Sequence, residues 1–276
     1  MSNAGATLNG LEGKVAVVTG AGRMRSIGRQ VAVGLAGAGC DVVVTGSGRP
    51  PEQYPPEERE AGWRDVDSVA EEIRAAGRRA LPLAADVADL AAVQTLAERV
   101  LAELGRVDIV VNNAAAARGE DRRPVVDVEP ELWEKVLAVN LTGTFFVCKV
   151  FGRKMIEAGR GGSIVNVSSI AAKRCDPNNS AYAASKAGIQ ALTACMAREV
   201  GRYGIRVNAV CPGLIDTHRM DDLSRSDAWR SAVGAIPLGR AGTGDDIAHT
   251  VTFLCSDEAS WITGQTWNVD GGTVIH

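Results

Sequence analysis

Short apolar runs alternate with helix-patterned stretches along the whole chain. Residues 14–19 (KVAVVT), 41–45 (DVVVT), 80–84, 109–111, 163–167 (SIVNV), 206–210 and 266–269 are β-branched or apolar and are bounded by glycine or polar residues, which predicts about seven strands. Between them, helical periodicity predicts helices over 27–37, 66–76, 90–104, 130–157, from about 181 onward, and over 245–255, with one or two short helices in the polar segment 216–237. Strands of this kind, each separated from the next by a helix, are the pattern of a parallel sheet covered on both faces. The reading is therefore α/β: one Rossmann-type, doubly wound domain over 14–276, preceded by a polar lead-in at 1–13. A proline-, glycine- and glutamate-rich stretch at 46–64 reads as a loop insertion, and 214–237 as a second loop region. In such a sheet ligands bind beyond the carboxyl ends of the strands where strand order reverses, which gathers the segments after residues 19, 111 and 167 around one crevice.

Composition narrows the function classes. A length of 276 residues holds one large domain or two small ones, and no linker interrupts the alternation. A net charge of −3 gives no reason to expect nucleic acid or an anionic membrane as partner, and no apolar run approaches the roughly 20 residues of a membrane span. The first residues lack the basic start and apolar core of a signal peptide. Six cysteines (Cys40, Cys148, Cys175, Cys195, Cys211, Cys255) lack CxxC pairing and fit reduced, packed thiols of a cytoplasmic protein, with no metal site expected.

Candidate chemistry sits around the fifth strand. It delivers Ser168 and Ser169 at its end, and the following helix carries Tyr182 and Lys186 four residues apart, on one face. An ammonium beside a phenol favours the phenolate and brings the group toward the range of general acid–base work. An isolated YxxxK more often decorates an exposed helix; the remaining motifs decide otherwise. After the first strand, Gly20-Ala21-Gly22 turns into a helix, the arrangement that offers backbone N–H groups and a helix N-terminus to a pyrophosphate. The second strand ends Thr45-Gly46-Ser47-Gly48-Arg49, with no acid for a ribose 2′-OH. Arg23, Arg25, Arg49 and Ser47 are available to meet a 2′-phosphate instead, which favours NADP(H) over NAD(H).

Together these segments resemble the classical short-chain dehydrogenases/reductases, near the 3-oxoacyl-(acyl-carrier-protein) reductases. The stretch from Thr19 to Gly28 resembles their TGxxxGxG loop but is two residues longer, with Ser26 in place of the middle glycine, as in enoyl-reductase members. The resemblance implies phosphate contacts from Gly20, Ser26, Ile27 and Gly28, adenine contacts from Asp86 and Val87, and a cofactor wall from Asn113, Ala114 and Ala115 in NNAA. In the PGxxxT segment, Pro212, Gly213, Ile215 and Thr217 would hold the nicotinamide carboxamide, and 261–265 with 270–272 match the closing TGQ…DGG. It also implies a catalytic set of Asn140, Ser169, Tyr182 and Lys186, with Ser168 the competing serine, Asn140 opening its helix to hold a water that links Lys186 to solvent, and Tyr182 and Lys186 also touching the cofactor. The implied activity interconverts a ketone or aldehyde and an alcohol with NADP(H), on a small-molecule substrate. An enoyl reductase and a non-catalytic NADP-sensing regulator are the alternatives. A homotetramer is implied, or a homodimer. Substrate choice falls to Lys173, Arg174, Cys175 and Asn179 after Ser169, and to His218, Arg219, Met220 and Trp229. Cys175 reads as a packed thiol and His218 as part of a lid, and the basic and apolar mixture fits an anionic or a bulky substrate equally well.

Overall fold

Residues 8–223 and 226–275 are described by a computed structural model. Its strands are Val15–Val18 (β1), Asp41–Gly46 (β2), Ala80–Ala84 (β3), Ile109–Asn112 (β4), Gly162–Val167 (β5), Ile205–Pro212 (β6) and Thr266–Val269 (β7). They form one all-parallel sheet in the order β3-β2-β1-β4-β5-β6-β7. The helices are Ile27–Gly37 (α1), Pro56–Glu60 (α2), Val66–Ala75 (α3), Leu90–Leu104 (α4), Pro130–Leu137 (α5), Gly143–Ala158 (α6), Ala171–Arg174 (α7), Ser180–Val200 (α8), Asp227–Gly234 (α9) and Gly244–Cys255 (α10).

Strand pleating divides the core into two layers. Ala16 and Val18 of β1 pack with α1, α3 and α10, whereas Val15 and Val17 pack with α4, α6 and α8. Both faces of β1 are therefore dry, which is why its sequence is a continuous apolar run. The chain winds outward from β1 to β3 and then returns to place β4 against the other side of β1. That reversal opens a crevice at the carboxyl ends of β1 and β4.

Three expectations are corrected. The 46–64 stretch is not only loop: it holds a 3₁₀ turn at Pro51–Gln53 and the helix α2, each with proline in its first turn, and Glu58 of α2 is fully buried. The helix expected over 130–157 is broken by a π-helical segment, Ala138–Thr142, between α5 and α6. Pro130–Ala158 is nonetheless long and apolar enough to cross a membrane, with a mean hydropathy of 1.3 over its best window, half of it buried; packing against α4 and α8 accounts for that apolarity. Finally, Cys175 and Cys195 are exposed while the other four thiols are buried, so Cys175 is not the packed thiol expected. Burial pushes the Cys40, Cys148 and Cys255 thiols up to about 12, which keeps them protonated.

Helix α10 rests on α1, whose N-terminus faces the crevice, so its own start matters. Thr243 Oγ1 accepts from the Asp246 N–H and the Asp246 carboxylate accepts from the Thr243 N–H, a reciprocal cap, while Arg240 pairs with Asp246 at 2.7 Å. Thr243→Ala is expected to cost about 1 kcal/mol and to lower Tm by roughly 2–4 °C, read by thermal and chemical unfolding.

Candidate active site

A cleft of about 1120 Å³ lies beyond the carboxyl ends of β1, β4, β5 and β6. Its walls include Gly20, Ser26 and Ile27 at one end and Ser169, Tyr182 and Lys186 at the other, with Asn113, Ala114 and Ala115 between them. The segments that sequence reading assigned to one crevice do share it.

The glycine turn is built for close approach. Gly20 has φ +66, and a Cβ there would stand 2.6 Å from Ala114 Cα. Asn113 Nδ2 donates to the Thr19 and Gly20 carbonyls, both at 2.9 Å, while Thr19 Oγ1 accepts from the Asn113 and Ala114 N–H groups, both at 3.1 Å. The turn after β1 and the loop after β4 are thus laced together. Ser26, the unexpected residue of the loop, is the N-cap of α1: its Oγ accepts from Arg29 N at 3.2 Å and donates to Arg23 O at 2.9 Å. The helix N-terminus it orders faces the cleft with the polarity that suits a phosphate.

The 46–64 insertion braces this loop from outside. Glu58 accepts from Met24 N at 2.9 Å and lies 3.3 Å from Arg49 Nη1 and 4.0 Å from Arg23 Nη1. Trp63 Nε1 donates to Gly22 O at 2.6 Å. Asp65, ahead of α3, reaches Arg49 Nε at 3.5 Å, and a Cβ on Gly22 would fall 1.2 Å from its Oδ1, so glycine alone fits there. Burial pushes the Asp65 carboxyl up and the Arg23 guanidinium down, the latter aided by the Arg49 charge. Of the three arginines expected to meet a phosphate, Arg25 is taken up by carboxylates, while Arg23 and Arg49 share Glu58 and still line the cleft. Arg25 ion-pairs with Glu57, Asp216 and Asp221, at 3.3, 2.8 and 2.9 Å, and Arg23 and Arg49 lean on Glu58. Arg49 Nη2 is buried without a hydrogen bond. An acid that the second strand lacks in sequence is delivered in space: Asp65 Oδ1 would lie 3.2 Å from a Cβ on Gly46.

Further along, Ser47, Asp86 and Val87 line the cleft, and Asp86 Oδ1 accepts from Ala88 N at 2.9 Å. Pro212, Gly213, Ile215 and Thr217 line it after β6. Gly213 N donates to Val269 O at 3.1 Å, and a Cβ on Gly213 would meet the Asp270 backbone at 2.8 Å. His218 Nδ1 sits 2.7 Å from Asp221 Oδ2 in a short 3₁₀ turn that lines the cleft.

At the far end, Lys186 is buried on α8, and its Nζ donates to Val167 O at 2.6 Å while standing 5.7 Å from the Tyr182 ring centroid. The two serines after β5 divide their work. Ser168 Oγ donates to Lys186 O at 2.9 Å, a framework bond between strand and helix. Ser169 Oγ accepts from Ala171 N at 3.1 Å and is among the groups that lower the Tyr182 phenol. Burial acts to raise the phenol, but Lys186, Arg219, the Ser169 hydroxyl and Arg122 together pull it below the ordinary tyrosine range. Lys186 is lowered, chiefly by burial. Asn140, fully buried in the π segment, accepts from Ala116 N at 2.8 Å and donates to Ser185 Oγ at 3.0 Å. The π turn aims its side chain between the loop after β4 and α8.

Some cleft residues escaped sequence reading. Arg122, with its guanidinium carbon 4.6 Å from the Tyr182 ring centroid, carries no local signal, and neither does Asp65, between the 46–64 stretch and α3; Glu58, which braces the loop from outside the cleft, sits in a stretch that reads as plain loop. Only packing of distant segments brings them in. Arg219, assigned to the substrate loop, lies 4.9 Å from the same ring.

A glycine-braced helix N-terminus and an acidified phenol in one crevice define a dinucleotide-dependent oxidoreductase. Comparison with known proteins agrees. A family profile described as enoyl-(acyl carrier protein) reductase matches residues 20–274. The chain is 36% identical to 2-dehydro-3-deoxy-D-gluconate 5-dehydrogenase of Escherichia coli K12, covering 95% of this chain and 96% of that one. It is 39% identical to cyclohexanol dehydrogenase of Rhodococcus sp. TK6, over 95% and 96%. It is 36% identical to the 3-oxoacyl-(acyl-carrier-protein) reductase of Thermotoga maritima, over 96% and 99%. A solved structure described as a short-chain alcohol dehydrogenase from Sinorhizobium meliloti 1021 superposes with a TM-score of 0.84 at 36% identity, covering 95% of this chain and 96% of that one. The chain belongs to the short-chain dehydrogenase/reductase family of NAD(P)-dependent oxidoreductases.

Proposed function

We propose that the protein interconverts a ketone or aldehyde and the corresponding alcohol with NADP(H), using Asn140, Ser169, Tyr182 and Lys186 as its catalytic set. The observation that carries this reading is the Tyr182 phenol, drawn below its ordinary range in the same cleft as the glycine turn. When bound, the nicotinamide supplies the hydride; the chain supplies placement and protons. Tyr182 gives a proton to the substrate oxygen in reduction and takes it in oxidation. Ser169 holds that oxygen within reach of the phenol, and Lys186 keeps the phenol acidic and meets the nicotinamide ribose. Asn140 holds the loop after β4 against α8 and supports a water leading from Lys186 to solvent. Gly20, Ser26, Ile27 and Gly28 would receive the pyrophosphate, Asp86 and Val87 the adenine, Asn113, Ala114 and Ala115 the middle of the cofactor, and Pro212, Gly213, Ile215 and Thr217 the carboxamide.

The NADP(H) preference rests on Arg49, whose Nη2 is buried without a partner, together with Arg23 and Ser47. A second reading, NAD(H), is favoured by the Asp65 carboxylate beside Gly46. Fluorescence titration with NADPH and NADH is expected to give the tighter Kd for NADPH; tighter NADH binding assigns the ribose to Asp65. The longer glycine turn and the matching profile's description support an enoyl reductase as the other chemistry. Paired 3-oxo and enoyl thioesters, followed by cofactor oxidation, separate the two, with the 3-oxo compound expected to turn over. Exposed Phe145, Trp261 and Ile275 support a homotetramer, or a homodimer, which light scattering after gel filtration measures.

A further inference from the structure

The reading above leaves the substrate unspecified, and the charges around Tyr182 narrow it. Three cations face the phenol: Lys186 Nζ lies 5.7 Å from the ring centroid, and the guanidinium carbons of Arg122 and Arg219 lie 4.6 and 4.9 Å from it. Among the described residues, the carboxylate within ion-pair distance of any of the three is Asp121, 3.4 Å from Arg122 Nε. No hydrogen bond is made by that buried Nε, and Arg219 spends one N–H on the Ala116 carbonyl. The other arginines lining this end are matched, Arg118 by Asp222 and Arg174 by Asp176. Three positive charges thus face one carboxylate, and burial with the Arg219 charge presses the Arg122 guanidinium downward despite Asp121. A guanidinium over a ring uses its face and keeps its N–H edge for hydrogen bonds, a fork that fits an oxyanion.

We propose that Arg122 and Arg219 form an oxyanion-recognising subsite, and that the substrate is a small carbonyl or alcohol compound bearing a carboxylate or phosphate within a few bonds of the reacting carbon. The proposal rests on the oxidoreductase reading, because Tyr182 marks where the reacting oxygen must lie. The short span follows from both guanidinium carbons standing within 5 Å of the ring whose hydroxyl trades the proton. Both arginines also lower the phenol, beside Lys186 and Ser169, so the subsite is read from the ratio between anionic and neutral substrates rather than from rate alone.

The test compares pyruvate, acetoacetate and levulinate with their methyl esters, and dihydroxyacetone phosphate with dihydroxyacetone, under both reduced cofactors. At least one anion is expected to exceed its neutral partner in kcat/KM by about tenfold or more, and the pair that does so tells carboxylate from phosphate. In Arg122→Gln and Arg219→Gln, checked for folding by thermal melts, that ratio is expected to fall about tenfold, mostly through KM. Neutral partners preferred throughout, or a ratio unmoved in both variants, overturns the proposal. So does an equal fall for anion and neutral partner with a displaced pH profile, which would mean the arginines act through Tyr182. Binding is read separately by calorimetric titration of malonate and inorganic phosphate into cofactor-saturated protein. Binding weakened in both variants supports the subsite even if no carbonyl turns over, an outcome that would defeat only the oxidoreductase reading. Turnover of neutral ketones with no binding of either anion removes the subsite and leaves that reading standing.

Discussion

Tyr182→Phe is expected to lower turnover by about 10²–10⁴-fold while leaving dinucleotide affinity within a few-fold of the parent. The substitution removes one hydroxyl and keeps the ring between Lys186, Arg122 and Arg219, so packing and the cofactor end of the cleft are preserved. Stopped-flow or steady-state assays with a keto substrate, beside a cofactor fluorescence titration, measure both quantities. A variant that turns over like the parent removes Tyr182 from the chemistry. The pH dependence has a fixed sign. Oxidation needs the phenolate, so its rate should rise with pH through the lowered Tyr182 ionisation and level off above it. Lys186→Met removes the largest attractive charge and should move that limb to higher pH. A limb that stays where it was assigns the ionisation to another group.

The second large effect is expected away from the chemistry, at Glu58. This carboxylate is fully buried, receives the Met24 N–H of the glycine loop at 2.9 Å, and stands 3.3 Å from Arg49. Glu58→Ala leaves Asp65 as the remaining counter-charge of buried Arg49 and releases the loop, which should cost about 3 kcal/mol. With that cost, Tm should fall by roughly 6–12 °C, read by calorimetry. Cofactor affinity should drop as well, because the N–H groups that would meet the pyrophosphate sit on the loop Glu58 restrains. Unfolding and titration curves matching the parent's would make the insertion an inert surface loop.

How far the chain could be read in advance depended on how local each signal is. The strands 80–84 and 266–269 and the helices 27–37 and 90–104 occur at the expected bounds, because their apolar periods end at glycine, capping serine or aspartate. The resemblance favoured Ser169 over Ser168 by its separation from Tyr182, but that Ser168 spends its hydroxyl on the Lys186 carbonyl was visible only in the structure. The π turn was half legible: Asn140 marked a helix under strain, but the continuous apolar period of 130–157 hid the break. Glu58 and the α2 helix were illegible, as proline and glutamate density reads as loop until Arg23, Arg49 and the glycine turn close over it.

By itself the amino-acid order determined the alternation of strand and helix, the parallel sheet and the placing of Tyr182 and Lys186 on one helix, because hydrophobic period, turn chemistry and a tyrosine–lysine step on one helix are properties of neighbouring residues. Only the tertiary structure decided which charges meet. Asp65 fell beside the end of β2, Glu58 settled between Arg23 and Arg49, and Arg122 and Arg219 closed on Tyr182 from segments about a hundred residues apart. Electrostatic partnership depends on distance and burial in space, and neither is written into the spacing of the chain.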